Sequence, residues 1–143
     1  MRRFALLAVL AVGMVVAAEK KADPVKDIEG KWVIVAVEKG GEKAPEDTIK
    51  ALDGQLTLKD GKYELSIGGN KSSGTYKLNV SKTPIEVDVV ETDGPNKGDK
   101  KYGITEIKGD TMRACWDFSG KERPKEFSGK GETHVLLVYK RVK

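Results

Sequence analysis

The chain has 143 residues, of which 34% are charged, and its formal net charge is +4. A length of this order provides for a single domain, and the one cysteine excludes an intrachain disulfide, so a hydrophobic core must hold the fold. The lysines and glutamates are interspersed, which is typical of a solvated outer face and gives no basic patch for a nucleic-acid partner.

The first 18 residues have the pattern of an export signal. Arg2 and Arg3 provide a positive start, residues 4–16 are apolar, and residues 16–18 form a small-residue cleavage site. The apolar run is shorter than the ~20 residues of a membrane span. We therefore expect a periplasmic or extracellular protein without stable membrane insertion after cleavage, with an uncleaved anchor as the alternative. Cleavage would remove two of the 26 basic residues and none of the 22 acidic ones, which lowers the net charge to +2.

A domain is expected over residues 28–143, after a polar lead-in at residues 19–27. Its first strand is predicted over residues 31–38, where a glycine two residues before a tryptophan leads into an apolar run. Alternation along this strand predicts one shared face for Trp32, Ile34 and Ala36.

Three connecting segments have distinct patterns. Residues 45–52 begin with a proline followed by acids, which predicts a short helix lying over one end of the sheet as a lid or plug. Residues 68–74 are predicted to be a glycine-rich turn, because they lack the lysine and hydroxyl ending of a phosphate-binding loop. Residues 91–99 are predicted to be a solvated polar loop, since their acids do not have the spacing of a calcium-binding loop.

One hairpin can be placed in register from its turn. Asp60-Gly61 is a strong two-residue turn signal. With this turn, Leu58 pairs with Tyr63 and Leu56 pairs with Leu65, so that all four side chains share one face. Agreement between the turn and the hydrophobic alternation predicts two paired strands here.

A second hairpin follows the same reasoning around Gly109-Asp110. This turn places Gly103 opposite Trp116, which gives the indole space, and Glu106 opposite Arg113, a favourable cross-strand pair. Apolar alternation predicts three more strands, carrying Tyr76, Leu78 and Val80, then Ile85, Val87 and Val89, and finally residues 134–141.

The count predicts an all-β fold, an eight-stranded antiparallel up-and-down barrel with one short helix after the first strand. An even number of alternating strands places the end of the last strand beside the start of the first. Arg141 is then expected to stack on Trp32 and, with Gly30, to close the barrel at that end.

The Gly30-x-Trp32 opening, the strand count and the basic residue on the last strand resemble the lipocalin-like, or calycin, barrel. More closely, the chain resembles an uncharacterised lipocalin-like domain family expanded in planctomycete bacteria. The resemblance covers about residues 28–141, and it implies the barrel fold and an exported setting, whereas the family has no assigned activity to carry over. The segments that carry it are Ile28–Trp32, Leu56–Tyr63, Ser73–Leu78, Gly94–Gly98 and Glu122–Phe127.

Catalytic chemistry has little support in the sequence. His134 is the single histidine, so a haem-ligand or general-base role would lack neighbouring groups. Three roles are open for Cys115. It could form a dyad with His134, it could be a small half-buried residue, or it could be an exposed thiol that forms a disulfide between chains. No constellation combines a nucleophile, a base and a positioning group, so we expect no enzyme, no metal and no cofactor.

The leading hypothesis is a module that binds a small hydrophobic or amphipathic molecule in the barrel. The alternative is a solidly packed barrel that serves as a structural or protein-interaction module of the cell envelope. A ligand-sized pocket at the end opposite Trp32 would favour the first; the sequence names neither the ligand nor a protein partner. The inward side chains expected to contact a ligand are Ile34, Leu56, Tyr63, Leu65, Tyr76, Val87, Trp116 and Tyr139.

Overall fold

The computed structural model describes residues 23–143, which contain two short helices and nine strands. The helices are α1 (Pro24–Asp27) and α2 (Glu46–Leu52). The strands are β1 (Gly30–Lys39), β2 (Glu42–Lys43), β3 (Gln55–Lys59), β4 (Lys62–Ile67), β5 (Asn70–Asn79), β6 (Ile85–Asp93), β7 (Lys100–Lys108), β8 (Thr111–Asp117) and β9 (His134–Arg141).

Eight of these strands close into an antiparallel barrel. β1 pairs with β3, each strand from β3 to β8 pairs with the next, and β9 pairs back with β1. The two-residue β2 pairs with the end of β1 and stands outside the ring. The predicted eight-stranded barrel with a short helix after its first strand is confirmed. Closure leaves no unpaired edge among the eight long strands.

Both predicted hairpin registers are confirmed. Leu58 lies opposite Tyr63 in the β3–β4 pair, and Gly103 lies opposite Trp116 in the β7–β8 pair. A Cβ added at Gly103 would come within 2.6 Å of the Trp116 ring, so the glycine does give the indole its space. The chemistry of the turns and the alternation of the strands specify the same pairing, which is why these registers are readable from sequence.

The face assignment within β1 holds only as far as Ile34. Ile34 lies opposite Tyr139 and Ala36 lies opposite Val138, so Val35 is an extra residue, a β-bulge. A bulge turns the following side chains to the other face. Ala36 is therefore exposed and Val37 packs against the core, opposite to the prediction. Every residue from Val33 to Val37 is apolar, so hydrophobicity alone does not mark the bulge.

Two predicted loops are shorter than expected. The β4–β5 turn contains only Gly68 and Gly69, because residues 70–74 belong to β5, and β6 continues to Asp93, so its loop to β7 begins at Gly94. Val80 lies beyond the end of β5 and is exposed.

Gly74, inside β5, serves a neighbouring ring rather than a turn. It lies opposite Tyr63, and a Cβ there would come within 2.8 Å of the ring carbon Cε1. The glycine therefore lets the tyrosine ring lie close against the wall of the barrel.

One end of the barrel is closed around Trp32. Its indole is fully buried, and Nε1 donates a hydrogen bond to the Ile28 carbonyl at 2.9 Å. The Arg141 guanidinium stacks on the ring, 4.2 Å from the centroid, and donates to the Glu29 carbonyl at 2.8 Å. Gly30 has φ of +130°, and a Cβ there would lie 2.9 Å from Arg141 Nη1, so this position favours glycine on both counts.

Helix α1 adds a cap to this closed end. The sequence predicts only a polar lead-in here, yet residues 24–27 form one helical turn and the following Ile28 is buried. The Asp27 carbonyl at the end of the turn accepts a hydrogen bond from Arg141 Nη2 at 2.5 Å. A carbonyl at the end of a helical turn has no partner within the helix, which explains why a cation satisfies it.

The connection between β8 and β9, residues 118–133, crosses the outer face of the barrel. Arg123 fastens it through ion pairs with Glu86 at 3.3 Å and Asp88 at 2.5 Å, and it donates to the carbonyls of Val87 at 3.1 Å and Gly103 at 2.9 Å. This long connection is therefore held against strands β6 and β7.

The predicted signal peptide at residues 1–18 lies outside the described residues. Neither helix in the described part of the chain is long and apolar enough to cross a membrane.

Candidate functional site

A cavity of about 380 Å³ occupies the interior of the barrel. Buried side chains that belong to the same core cluster as Trp32 form its floor, among them Leu58, Met112 and Tyr139. At the other end it is lined by residues 95–96 of the β6–β7 loop and by Phe118, which is 50% exposed. The cavity thus opens at the end opposite Trp32, and we call this opening the mouth.

The structure brings seven of the eight predicted contact residues onto the wall of this cavity. The exception is Ile34, which is buried near the floor, where its side chain packs against Gly54. That the other seven contact a ligand stays a prediction. The seven are Leu56, Tyr63, Leu65, Tyr76, Val87, Trp116 and Tyr139.

Every second residue of each strand points into the barrel, and most of these inward residues are apolar. Thr105 is a polar member, and its hydroxyl donates to the Arg113 carbonyl at 2.9 Å. The Thr105 hydroxyl therefore already donates its proton within the protein and has none to donate to a ligand. Burial raises the pKa of the phenols of Tyr76 and Tyr139, which favours their neutral form still further.

Glu91 is the polar group that sets this cavity apart from a simple apolar pocket. Within residues 23–143, its Oε2 is the buried side-chain oxygen or nitrogen that has no hydrogen-bond partner. Burial, and then the negative charge of Glu91, raise the pKa of the Tyr63 phenol, which indicates that the two groups are neighbours. Gly94 passes close to the carboxyl group, since a Cβ there would lie 3.4 Å from Glu91 Cδ. Glu91 thus lies on the cavity wall beneath the β6–β7 loop.

A lysine lines the mouth on the neighbouring strand. Lys101 of β7 lies opposite Val89, two positions from Glu91, and its Nζ is 4.8 Å from the centroid of the Phe118 ring. Neither Lys101 nor Glu91 joins any of the ion pairs found among the described residues. The mouth therefore combines an exposed aromatic ring, a cation held on that ring, and a carboxylate without a partner.

Glu91 and Phe118 were missed as site residues, and the prediction of a solvated loop for residue 91 was wrong. Glu91 belongs to β6, where it takes the next inward position after Val87 and Val89. Phe118 similarly follows Trp116 by two residues. Continuing the inward–outward alternation of each strand by two more residues, from Val89 and from Trp116, would have found both residues.

Cys115 and His134 do not form a dyad. Cys115 lies opposite Leu136, is fully buried, and its Sγ donates to the Ser128 carbonyl at 3.3 Å. Burial raises the pKa of its thiol, so the neutral form is favoured. The alternatives of an exposed thiol and of a half-buried one are therefore both wrong. His134 instead lies opposite Asp117, with 3.8 Å between Nε2 and Oδ2.

Asp117 fixes the two ends of the long connection beside the mouth. Its Oδ1 accepts hydrogen bonds from the Ser119 hydroxyl at 2.6 Å, the Ser119 amide at 2.9 Å and the Thr133 hydroxyl at 2.7 Å. These bonds lower the pKa of the carboxyl group to about 2. The Phe118 amide also donates to the Thr133 carbonyl at 2.9 Å, so this small network positions the ring at the mouth.

The described residues contain no group of three or more His, Cys, Asp or Glu side chains that could hold a metal ion.

The barrel is similar to that of a lipocalin-like protein from Bacteroides uniformis, known from a crystal structure. The two chains are 15% identical, the TM-score is 0.53, and the similarity covers 81% of this chain and 99% of that one. At this identity the likeness shows the fold alone, which is a lipocalin-like barrel. No protein-family model matches the chain, and no curated protein matches it either.

Proposed function

We propose that this protein binds a small hydrophobic or amphipathic molecule inside its barrel. The observation that carries the proposal is the cavity of about 380 Å³, open at the mouth and walled mainly by apolar side chains. This volume lies within the range of roughly 300–1,000 Å³ typical of small-molecule sites. An eight-stranded barrel can also hold one small ligand, as other barrels of this size do.

The cavity also weighs against the alternative of a solidly packed envelope module. A barrel that served only as a scaffold would gain stability by filling this space, because interiors pack densely when nothing else occupies them. The buried, neutral thiol of Cys115 and its separation from His134 likewise support a role in binding rather than in catalysis.

We further propose that the protein is exported to the periplasm or medium, with residues 1–18 as the cleaved signal, and that it belongs with the planctomycete family it resembles. The charge pattern and small-residue site of that segment support export. The intact mass of the protein recovered from the native host tests this, because cleavage after Ala18 leaves a chain that begins at Glu19. A full-length mass in that fraction would contradict cleavage.

The binding proposal is tested by native mass spectrometry of protein purified under mild conditions from its own periplasm or medium. We expect a non-covalent adduct of one defined mass that denaturation releases. Bare protein from every preparation would overturn the proposal.

A matched pair of variants ties that adduct to the cavity. Val87 lines the cavity and is 5% exposed, whereas Val35 is on the outer surface and is 44% exposed. Val87→Phe should extend a ring into the cavity and reduce the adduct, and Val35→Phe should leave it intact. Far-UV circular dichroism checks that both variants keep the barrel. An adduct that survives Val87→Phe unchanged would place the bound molecule outside the barrel.

A further inference from the structure

We propose that the molecule held in the cavity is an amphipathic amine, with its protonated amino group on Glu91 and its apolar body below it. This inference rests on the proposed function, since it names the chemical class of the ligand for the same cavity. It begins from Glu91 Oε2, the buried side-chain oxygen or nitrogen among residues 23–143 that has no hydrogen-bond partner.

A buried acceptor without a donor costs free energy in the empty protein. Glu91 pays this cost at a position that faces a cavity, where a bound molecule can supply the missing donor. A ligand that brings a donor to Oε2 therefore gains the bond and also removes the penalty. A purely apolar ligand would do neither, and it would bury the carboxylate further.

The charge at this point favours a cation over a neutral donor. Glu91 lies on the cavity wall, and its negative charge contributes, after burial, to the raised pKa of the Tyr63 phenol, so a positive group of a ligand beside Glu91 gains a favourable charge interaction. Hydrogen bonds between two charged groups are roughly twice as strong as those between neutral ones. An anionic head group would be repelled by Glu91. Lys71 and Lys101, which would attract one, also line the cavity, but Lys71 is exposed to solvent and Lys101 lies over the Phe118 ring.

The arrangement along β6 fixes the orientation of such a ligand. Successive inward positions run from Glu91 at the mouth to Val89 and Val87, and the floor contains Tyr139. The polar anchor is thus at one end of an apolar channel. An amine with a compact alkyl body would enter with its apolar end first and bring its amino group to Glu91 last.

The test compares three probes with matched alkyl chains, octylamine, octanol and octanoate, by isothermal titration calorimetry at neutral pH on the full mature chain. We expect octylamine to bind at least about tenfold more tightly than octanoate. Glu91→Gln should weaken octylamine about tenfold while leaving octanol within about threefold. Glu64→Gln is the matched control, because it makes the same change of charge on the exposed outer side of strand β4, which is separated from β6 by β5.

The outcomes separate this inference from the proposed function. Binding of octanol or octanoate without any preference for octylamine would overturn the amine and leave the binding cavity standing. A preference for octylamine that survives Glu91→Gln would overturn the role of Glu91. Failure of all three probes to bind would count against the cavity as a ligand site and would overturn both proposals. Loss of octylamine binding in the Glu64→Gln control would show a long-range charge effect and would likewise reject Glu91 as the anchor.

Discussion

Replacing Trp32 with alanine removes the side chain that closes the barrel, and we expect it to lower the free energy of unfolding by about 3–5 kcal/mol. The indole is fully buried in the core cluster, so its removal forfeits apolar burial and leaves a void. The Ile28 carbonyl loses its donor, which adds about 1 kcal/mol. Loss of the stacking between the Arg141 guanidinium and the Trp32 ring adds roughly 0.5–2 kcal/mol. These contributions overlap, so they favour the upper part of the range.

The surroundings of Trp32 limit any compensating collapse. Arg141 is held by the carbonyls of Asp27 and Glu29, and its guanidinium cannot move into the vacated space without breaking those bonds. Gly30 has no side chain to contribute. A small domain has a total stability of about 5–15 kcal/mol, so the expected loss is a large fraction of it.

Urea unfolding followed by far-UV circular dichroism measures the effect, because the variant lacks one of the two tryptophans and its fluorescence is not comparable. Trp32→Phe is the matched control, since it keeps an aromatic ring but loses the hydrogen bond to Ile28. A double-mutant cycle with Arg141→Met isolates the stacking energy. A loss below about 1 kcal/mol for Trp32→Ala, against the 3–5 expected for a buried aromatic, would refute the view that Trp32 closes the barrel.

Three further predictions concern single positions. The pKa of Asp117 is lowered from 3.8 to about 2, so its stabilising contribution is present above pH 4 and is lost as the pH falls towards 2. Between these pH values the free energy of unfolding, measured with urea, should fall by about 1–2 kcal/mol less in Asp117→Asn than in the unmodified protein, and equal losses would contradict this. Glu91→Leu should raise the unfolding free energy of the ligand-free protein by about 1 kcal/mol, because it removes a half-buried carboxylate whose Oε2 is buried without a donor, and a destabilised variant would reject that reasoning. Gly74→Ala should lower the unfolding free energy by about 1–3 kcal/mol in the same assay, since its Cβ would meet Tyr63 and the backbone of Val90, and an unchanged value would show that the wall yields easily.

Most of the barrel was predictable because independent signals in the sequence agreed. At Asp60-Gly61 the turn and the alternation specify one register. The even number of antiparallel strands alone places Arg141, at the end of the last strand, beside Trp32, at the start of the first. The bulge at Val35 was not predictable, since both faces of that strand carry apolar residues and either phase satisfies the pattern.

The candidate site was predictable in its depth but not at its mouth. Side chains such as Val87 and Trp116 lie in the middle of strands, where the period of two is well defined. Glu91 lies near a strand end and is followed by polar residues, so its neighbours resembled a loop although its phase was inward. The size of the cavity was also beyond the sequence, because it depends on how all the inward side chains pack together.

The long connection shows a further reason for this limit. Arg123 has a glutamate beside it in the sequence, yet its partners in the structure are Glu86 and Asp88, the latter 35 residues away. Only the closed barrel brings these groups together. Short-range charge balance therefore predicts the wrong partners for a loop that is folded back onto a sheet.

The two ends of the barrel satisfy their polar groups to different degrees. At the closed end Trp32 donates to a carbonyl and Arg141 satisfies two more. At the mouth Asp117 accepts hydrogen bonds from Ser119 and Thr133 and positions Phe118, whereas the buried oxygen of Glu91 stays without a donor. A protein selected for stability alone would replace such a group, since its removal is expected to stabilise the fold. Natural proteins keep a local violation of this kind chiefly where function requires it. The fold is thus secured at one end, and its unsatisfied oxygen faces a cavity at the other, where a ligand can complete the bonding.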